Sequence, residues 1–427
     1  MDNFALKISA LLLFIALSGC ASGLNYKTLD EQMNANDCKG ATAYLESQEG
    51  AYGKNMRLNY LLDSAIINMQ CGNYNKSNSY FHDAETLAEQ LWTKSVSSET
   101  AAFVTNDYAI PYAGEDFERA GINLFSAISY ALDRNNEEAL VECRRLDSVL
   151  SMYNDKYEEK NVYKEDAFGR YLSGMIYEAE GELEDAYIDY YKSFKIYGDY
   201  KNNYGTMAPV SLKKDLIRLA RATGRYKELL SEFSDLKERD SLSYGEAQNM
   251  GKVVLIHLNG KSPVKVSSSI VAPSTQGPIS LAFPKYVVNR PNCSDSKLIV
   301  RSSSNTLEAE TELVEDINEI AVKNLDDRKG RVIVKAIARA ALKQAAANNL
   351  IQDDNLREVF NVFNAALMER ADTRTWRTLP GEVNISRVYL KEGTYNISGK
   401  NCGREEHLQE ISIKAGETRF LLFDTMY

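Results

Sequence analysis

Residues 167–197 read AFGRYLSGMIYEAEGELEDAYIDYYKSFKIY, and their spacing decides the architecture of the first half of the chain. Gly174 and Ala186 are small where two antiparallel helices would touch, Tyr177 and Tyr190 fill the space beside them, and Gly181 supplies the turn. One such helical pair cannot bury its apolar face alone and needs a stacked neighbour, which is the physical content of a tetratricopeptide repeat. The same offsets return at Ala65, Asn68, Gly72, Ser77 and Phe81, then at Ala127, Tyr130, Arg134, Ala139 and Cys143. They return once more at Ile217, Ala220, Gly224, Leu229 and Phe233. From residue 65 to 127, 174 and 217 the steps are 62, 47 and 43, longer than the regular repeat of about 34. The spacing therefore predicts an irregular array of four helical hairpins within residues 51–246, preceded over Leu29–Glu49 by a linker and one lead-in helix closing at Gly50.

Insertions in such an array map to loops on one face, often the binding face. The insert before the second repeat, SSETAAFVTNDYAIPYAGEDFERAG, brings Tyr108, Tyr112 and Phe117. These aromatics fit a partner surface, where such residues are enriched, and equally fit packing of the insert onto its own helices. Tyr153–Tyr163 and Tyr197–Tyr204 read as polar aromatic stretches, and Arg218, Arg221 and Arg225 as a basic edge of the fourth repeat.

The periodicity changes after Gly251. Lys252–Leu258, Val264–Val271, Ile279–Phe283 and Leu298–Arg301 are short, mostly rich in β-branched residues and broken by Pro and Gly, and five of the eight prolines lie from Pro263 to Pro291. Those are strand and turn signals. Leu313–Asn324 and Arg331–Leu350 then read as helix, the second being full of strong helix formers, and Asp354–Asp372 as an amphipathic helix. Strands resume at Glu382–Leu390, Thr394–Ser398, Leu408–Ile413 and Thr418–Phe423. The expected fold class is α+β: an N-terminal tetratricopeptide-type α-solenoid followed, over 247–427, by a β-sandwich-like domain with a helical hairpin inserted at about 313–372. Early and late strands must pair across that insertion.

Two features of this half are candidates for partner binding. Arg331, Lys335, Arg339 and Lys343 recur every four residues and form one basic stripe on a helix, suited to an acidic partner or anionic headgroups and equally to a solvated face. Asp372-Thr373-Arg374-Thr375-Trp376-Arg377-Thr378-Leu379-Pro380 is polar and built around Trp376. It fits either a ligand groove or a plug between helix and sheet.

At the other end, Lys7 precedes the apolar run Ile8–Leu17 and the sequence Leu17-Ser18-Gly19-Cys20. That run is short for a membrane span of about 20 residues and fits a signal peptide over residues 1–19. Leu-Ser-Gly-Cys resembles a bacterial lipobox, which implies a mature chain beginning at Cys20 and carrying acyl chains such as palmitate. Several chains on one residue give stable anchoring. Residues 20–50 then form the lipidated N-terminus, linker and lead-in helix, and Ala21, by analogy with sorting signals, favours the outer membrane. The formal net charge of −10 argues against general nucleic-acid binding, which uses basic patches. In an oxidising compartment the cysteines pair by region as Cys38 with Cys71 and Cys293 with Cys402. Cys143 stays free at a buried position; the alternative is that all five are buried thiols.

Over nearly the whole mature chain the sequence resembles a family of uncharacterised bacterial lipoproteins with periplasmic tetratricopeptide repeats. The marks are PYAGEDFERAGINLFSAISYAL, EEALVECRRL, HLNGKSPVK, AFPKY, RVIVKAIARAALK, ADTRTWRTLP and LKEGTYN. The most specific are AIARAALK and DTRTWRTLP. Members are encoded near lipoproteins similar to a penicillin-binding-protein activator or a curli-type secretion lipoprotein, which implies a cell-envelope role and assigns no catalytic residue.

His82, His257 and His407 are far apart, and no HExxH, paired Cys/His, GxSxG, P-loop or GxGxxG pattern occurs. The reading is therefore a scaffold without catalytic residues, metal or cofactor. It is expected on the periplasmic face of the outer membrane, holding an envelope protein in envelope assembly or peptidoglycan synthesis. The alternative is a structural component of a secretion or surface-polymer export complex.

Overall fold

The computed structural model describes residues 24–97, 108, 110–156, 163–234, 236, 242–272, 279–291, 293, 295–350 and 371–427. The signal segment and Cys20 lie outside these residues.

Helices α1 (Tyr26–Asn34) and α2 (Cys38–Ser47) come first. Four hairpins follow: α3 (Arg57–Gln70) with α4 (Tyr74–Ser97), α5 (Asp116–Leu132) with α6 (Asn136–Lys156), α7 (Ala167–Ala179) with α8 (Leu183–Tyr204), and α9 (Val210–Ala222) with α10 (Tyr226–Glu232). Each turn carries a residue at positive φ: Gly72 at 72°, Arg134 at 65°, Gly181 at 82° and Gly224 at 74°. The next residue's N–H closes a bond to the carbonyl five positions back, from Asn73 to Asn68, Asn135 to Tyr130, Glu182 to Tyr177 and Arg225 to Ala220. That is the left-handed helix cap that satisfies orphan carbonyls. The close approach expected at Gly174 is present, since a Cβ there would lie 2.5 Å from the Tyr190 ring.

The lead-in differs from expectation. It is a fifth hairpin, with Asn36 at φ 54° and Asp37 N–H bonded to Gln32 O. Leu29, Gln32, Asn36, Ala41 and Leu45 stand at the repeat's own offsets, and Leu29, Ala41 and Leu45 are buried. The Cys38–Cys71 disulfide, with its Cα atoms 5.5 Å apart, fastens α2 to the end of α3.

Strand β1 (Gly251–Lys261) is central to a four-stranded sheet ordered β10 (Thr418–Thr425), β1, β7 (Pro380–Leu390), β6 (Glu312–Asp316). β10 runs parallel to β1, and β7 antiparallel. A second sheet is ordered β5 (Thr306–Glu310), β4 (Ser296–Arg301), β8 (Gly393–Asn401), β9 (Arg404–Ile413). Strands from before and after the helical insertion thus pair in both sheets. Alternate residues of a strand face opposite ways, and here the two faces meet different partners. Val254, Ile256 and Leu258 join the core of the helical hairpins, while Val253 and Leu255 join Leu298, Val300, Ile397, Leu421 and Phe423 between the sheets. The layers are therefore helices, sheet, sheet. The first helices α3 and α5 are buried almost throughout, α3 from Leu58 to Met69 and α5 from Asp116 to Ser129.

A two-stranded ribbon, β2 (Val264–Ala272) with β3 (Ile279–Val287), packs beside α11 (Ile317–Leu350). The expected helix from Leu313 is corrected, because Leu313–Asp316 pairs with β7 as strand β6 and α11 starts only at Ile317. Asp316 caps it, accepting from Glu319 N–H at 3.0 Å. Strand β5 is an addition. The second arm of the expected hairpin, 351–370, lies outside the described residues, as do the side chains of Arg331, Lys335, Arg339 and Lys343.

Cys293 and Cys402, expected to be bridged, are thiols here. They stand close enough to hydrogen-bond, which pushes the Cys402 thiol up to about 11. Cys293 Sγ is directed at the Asp295 carbonyl, 3.7 Å away, so its thiol proton goes to the backbone. Cys143 is a buried thiol.

Candidate functional site

The face of the hairpins where a solenoid would hold a guest is taken by the chain itself. Glu118, on α5, is 1% exposed and gathers four donors: Tyr112 Oη, Glu115 N at 2.9 Å, Thr375 Oγ1 at 2.8 Å and Trp376 N at 2.7 Å. Asp63, on α3, accepts from Tyr26 Oη and Tyr52 Oη at 2.7 Å and from Thr378 Oγ1 at 2.8 Å, and burial pushes its carboxyl up. Asn59 donates to Thr375 O at 3.0 Å. Segment 372–379 is thus threaded across the first helices of two hairpins. Its Trp376 ring meets Phe81 and Phe125 edge-on, at centroid distances of 6.4 and 6.1 Å.

The structure brings three sequence-selected aromatics together at this segment. The Arg374 guanidinium lies over Tyr108 and Tyr112, at 5.3 and 5.2 Å, and is held by Asp372 at 2.7 Å. Tyr108 Oη hydrogen-bonds Thr373. Phe117 stands apart, against Tyr286 of the ribbon. Trp376, Tyr112 and Phe117 are buried within the fold, and Tyr108 alone of the four reaches solvent.

A second internal joint ties the third and fourth hairpins to the sheet. Glu178 on α7 meets Arg218 at 2.6 Å and Lys252 at 2.9 Å, and Asp215 on α9 meets Arg218 at 2.6 Å and also Arg387. Burial by itself would raise the Glu178 carboxyl, but Lys252, Arg218 and Arg387 together hold it well below the usual carboxylate range. Charges buried this deeply need partners, and these supply one another across the joint.

The open concavity lies elsewhere. A groove of about 920 Å³ runs between α1, α2, the α3–α4 and α5–α6 turns, and strands β9 and β10. At this side of the sandwich the two sheets end on edge strands, since among the described residues β9 pairs only with β8 and β10 only with β1. The opposite side is closed, because the chain passes from β5 through Thr311 straight into β6. The groove's wall carries Arg134, Lys261, Arg290, Arg404 and Arg419 along with Glu406 and Asp424; Lys261 is paired with Asp30, Arg290 with Asp316 and Glu319, and Arg134 and Arg419 share Glu417. Burial pushes the Asp424 carboxyl up to about 7. At one end, Asn401 Nδ2 donates to Thr425 Oγ1 at 2.9 Å, and His257 Nε2 lies 2.7 Å from the same hydroxyl. His257 is buried, which pushes its imidazole down to about 3 and keeps it neutral. The sequence-selected residues near this groove are Cys38, Cys71, Cys293 and Cys402; its basic residues went unselected. Among the described residues no group of three or more His, Cys, Asp or Glu side chains is arranged to hold a metal ion, and no helix is long and apolar enough to cross a membrane.

No family model matches the sequence, and no curated protein does. Among solved structures, one titled "Crystal structure of MamA" covers 49% of this chain and 91% of its own, at 14% identity and a TM-score of 0.31. The crystal structure of BtubC (BKLC) from P. vanneervenii covers 50% of this chain and 82% of its own, at 13% identity and a TM-score of 0.33. These likenesses are partial and of low identity.

Proposed function

We propose that this protein is a non-catalytic, lipid-anchored scaffold at the periplasmic face of the outer membrane that holds an envelope protein in cell-envelope assembly or peptidoglycan synthesis. The observation that carries the reading is the groove of about 920 Å³ between the helical hairpins and the open side of the sandwich. It is a concavity that remains once segment 372–379 and the β1 sheet have taken the inner face of the helices. A cleft at the junction of two structural units is a common place for binding. Leu17-Ser18-Gly19-Cys20 supports the anchor.

The test is in-cell crosslinking from a photoreactive residue at His407, which is exposed beside the groove. One defined envelope protein should be captured there and not from the same group at exposed Met207. Identical adducts from both positions would overturn the reading, and capture of an outer-membrane export pore would move it to the secretion alternative. Replacing Cys20 with Ala should release the chain from the membrane fraction.

A further inference from the structure

We propose that β10 takes an extended, acidic segment of the partner protein as an added strand, so that the groove's guest is bound by main-chain pairing; this rests on the scaffold reading above. Lys252 N–H donates to Glu417 O at 2.7 Å, which fixes the phase of the parallel β1–β10 ladder. Residues 417, 419, 421 and 423 therefore turn their peptide groups toward β1, and Phe420, Leu422 and Asp424 turn theirs outward into the groove. A strand edge with free N–H and C=O groups is a template for another strand.

Proteins blunt such edges with lysine, proline or inward charges, and the edges here are treated unequally. β5 reads TLEAE and carries Glu308 and Glu310, whereas β10 reads TRFLLFDT, with neither lysine nor proline. β10 is an edge beside the cavity, and its two charges, Arg419 and Asp424, flank the uncharged run of Phe420, Leu421, Leu422 and Phe423.

Charge selects the guest. Arg404 is exposed and has no ion pair among the described residues, Arg419 and Arg134 share the single carboxylate of Glu417 at 3.3 and 2.6 Å, and Glu406 is the one acidic residue on the facing strand that lines the groove. Arg419 alternates onto the same face as Leu421 and Phe423, so a strand with Asp or Glu at the end of its inward row beside Arg419, and near Arg404, is favoured, while a basic strand is repelled, which is how charges across an interface set specificity. Inward-facing residues of the guest would continue the apolar row of Leu421 and Phe423 between the sheets.

The probe is a synthetic peptide alternating valine and glutamate over the length of β10, with a further glutamate at the end of its valine row, compared with its valine–lysine counterpart on the full chain. The glutamate peptide should bind saturably and slow hydrogen exchange at the amides of Phe420, Leu422 and Asp424. The double variant Arg404→Glu/Arg419→Glu should bind it at least about tenfold more weakly and gain affinity for the lysine peptide. Leu422→Pro removes one outward donor while leaving the β1 ladder intact, and should abolish protection at β10 with the circular dichroism spectrum unchanged. Equal binding of both peptides, unprotected β10 amides at saturation, or protection arising from concentration-dependent pairing of two copies of this chain would overturn the proposal. Failure is separable from failure of the scaffold: a partner captured at His407 while β10 amides stay unprotected leaves the scaffold standing and removes strand addition.

Discussion

A Cβ added at Gly121 would stand 3.5 Å from the Trp376 ring, an ordinary van der Waals contact. The helix α5 and segment 372–379 therefore meet with room for one methyl group and little more. Gly121→Ala should be neutral or stabilising by up to about 1 kcal/mol, the gain of alanine over glycine in a helix. Gly121→Leu should overpack and cost about 1–3 kcal/mol, and Trp376→Ala should cost about 3–5 kcal/mol by leaving a cavity between Phe81 and Phe125. Urea unfolding midpoints check all three, and a destabilising Gly121→Ala would show that the contact is tighter than described.

Arg134 occupies the turn position that glycine fills in three other repeats, at φ 65°. An L side chain in that region costs about 1 kcal/mol. Its one ion pair, to Glu417, is made by a side chain 62% exposed, and such pairs are worth little. Arg134→Gly should thus raise stability by about 0.5–1 kcal/mol, read as a higher thermal midpoint with the helical spectrum unchanged.

The Cys38–Cys71 bond closes a loop with a sequence separation of 33. Constraining the unfolded chain over that length is worth about 4 kcal/mol in the loop-entropy account. Cys38→Ala/Cys71→Ala, or reduction of the native chain, should lower the denaturation midpoint accordingly and loosen α1 and α2 first, seen as faster hydrogen exchange over 26–47. Cys143→Ala without reductant should leave exchange over 26–47 unchanged, because that thiol is unbonded.

Asp424 gives a pH signature. Its carboxyl, raised by burial and further by Glu406, and opposed by the Met426 N–H and by Lys261, sits at about 7, against about 4 in an unfolded chain. Between those values the folded protein keeps a proton that the unfolded chain has lost, so stability falls as pH rises. Asp424→Asn keeps an acceptor for Met426 N–H, bonded at 2.8 Å, and should remove a slope on the order of 1 kcal/mol per pH unit over that window. Other buried acids, such as Asp63, titrate in both proteins, so the difference between the two pH–stability curves is the measurement.

The four repeats are legible in the residues because small side chains at helix crossings and left-handed turn residues recur at fixed offsets, and even Arg134 announces itself by position. The fifth hairpin is hidden by Asn36, since a search tuned to glycine overlooks that asparagine also enters the left-handed region through its short polar side chain. Strand β5 carries three acidic or small polar positions in five and lies exposed, so it lacks the β-branched alternation that marks a half-buried strand. Leu313–Asp316 is too short for its period to separate strand from helix, and only pairing with β7 decides it. The groove leaves no local trace at all. Arg134, Lys261, Arg404 and Arg419 are scattered over nearly 300 residues of sequence, and packing alone gathers them. Trp376 is legible as a special residue, yet its role as an internal guest of the helices depends on Glu118 and Asp63, which read as ordinary helix-face acids.

The sheet that covers the first helices is assembled from strands at 251–261, 312–316, 380–390 and 418–425, so its outermost strand is made nearly two hundred residues after the helices are complete. On a ribosome working from the N-terminal side, every hairpin would exist, stacked on its neighbours, before the sheet that covers the array had been made. A growing chain of that kind is aggregation-prone until the late segments arrive. Folding of the helical half is therefore tied to the end of synthesis rather than its beginning, and a chain kept extended until it is whole never passes through the exposed intermediate.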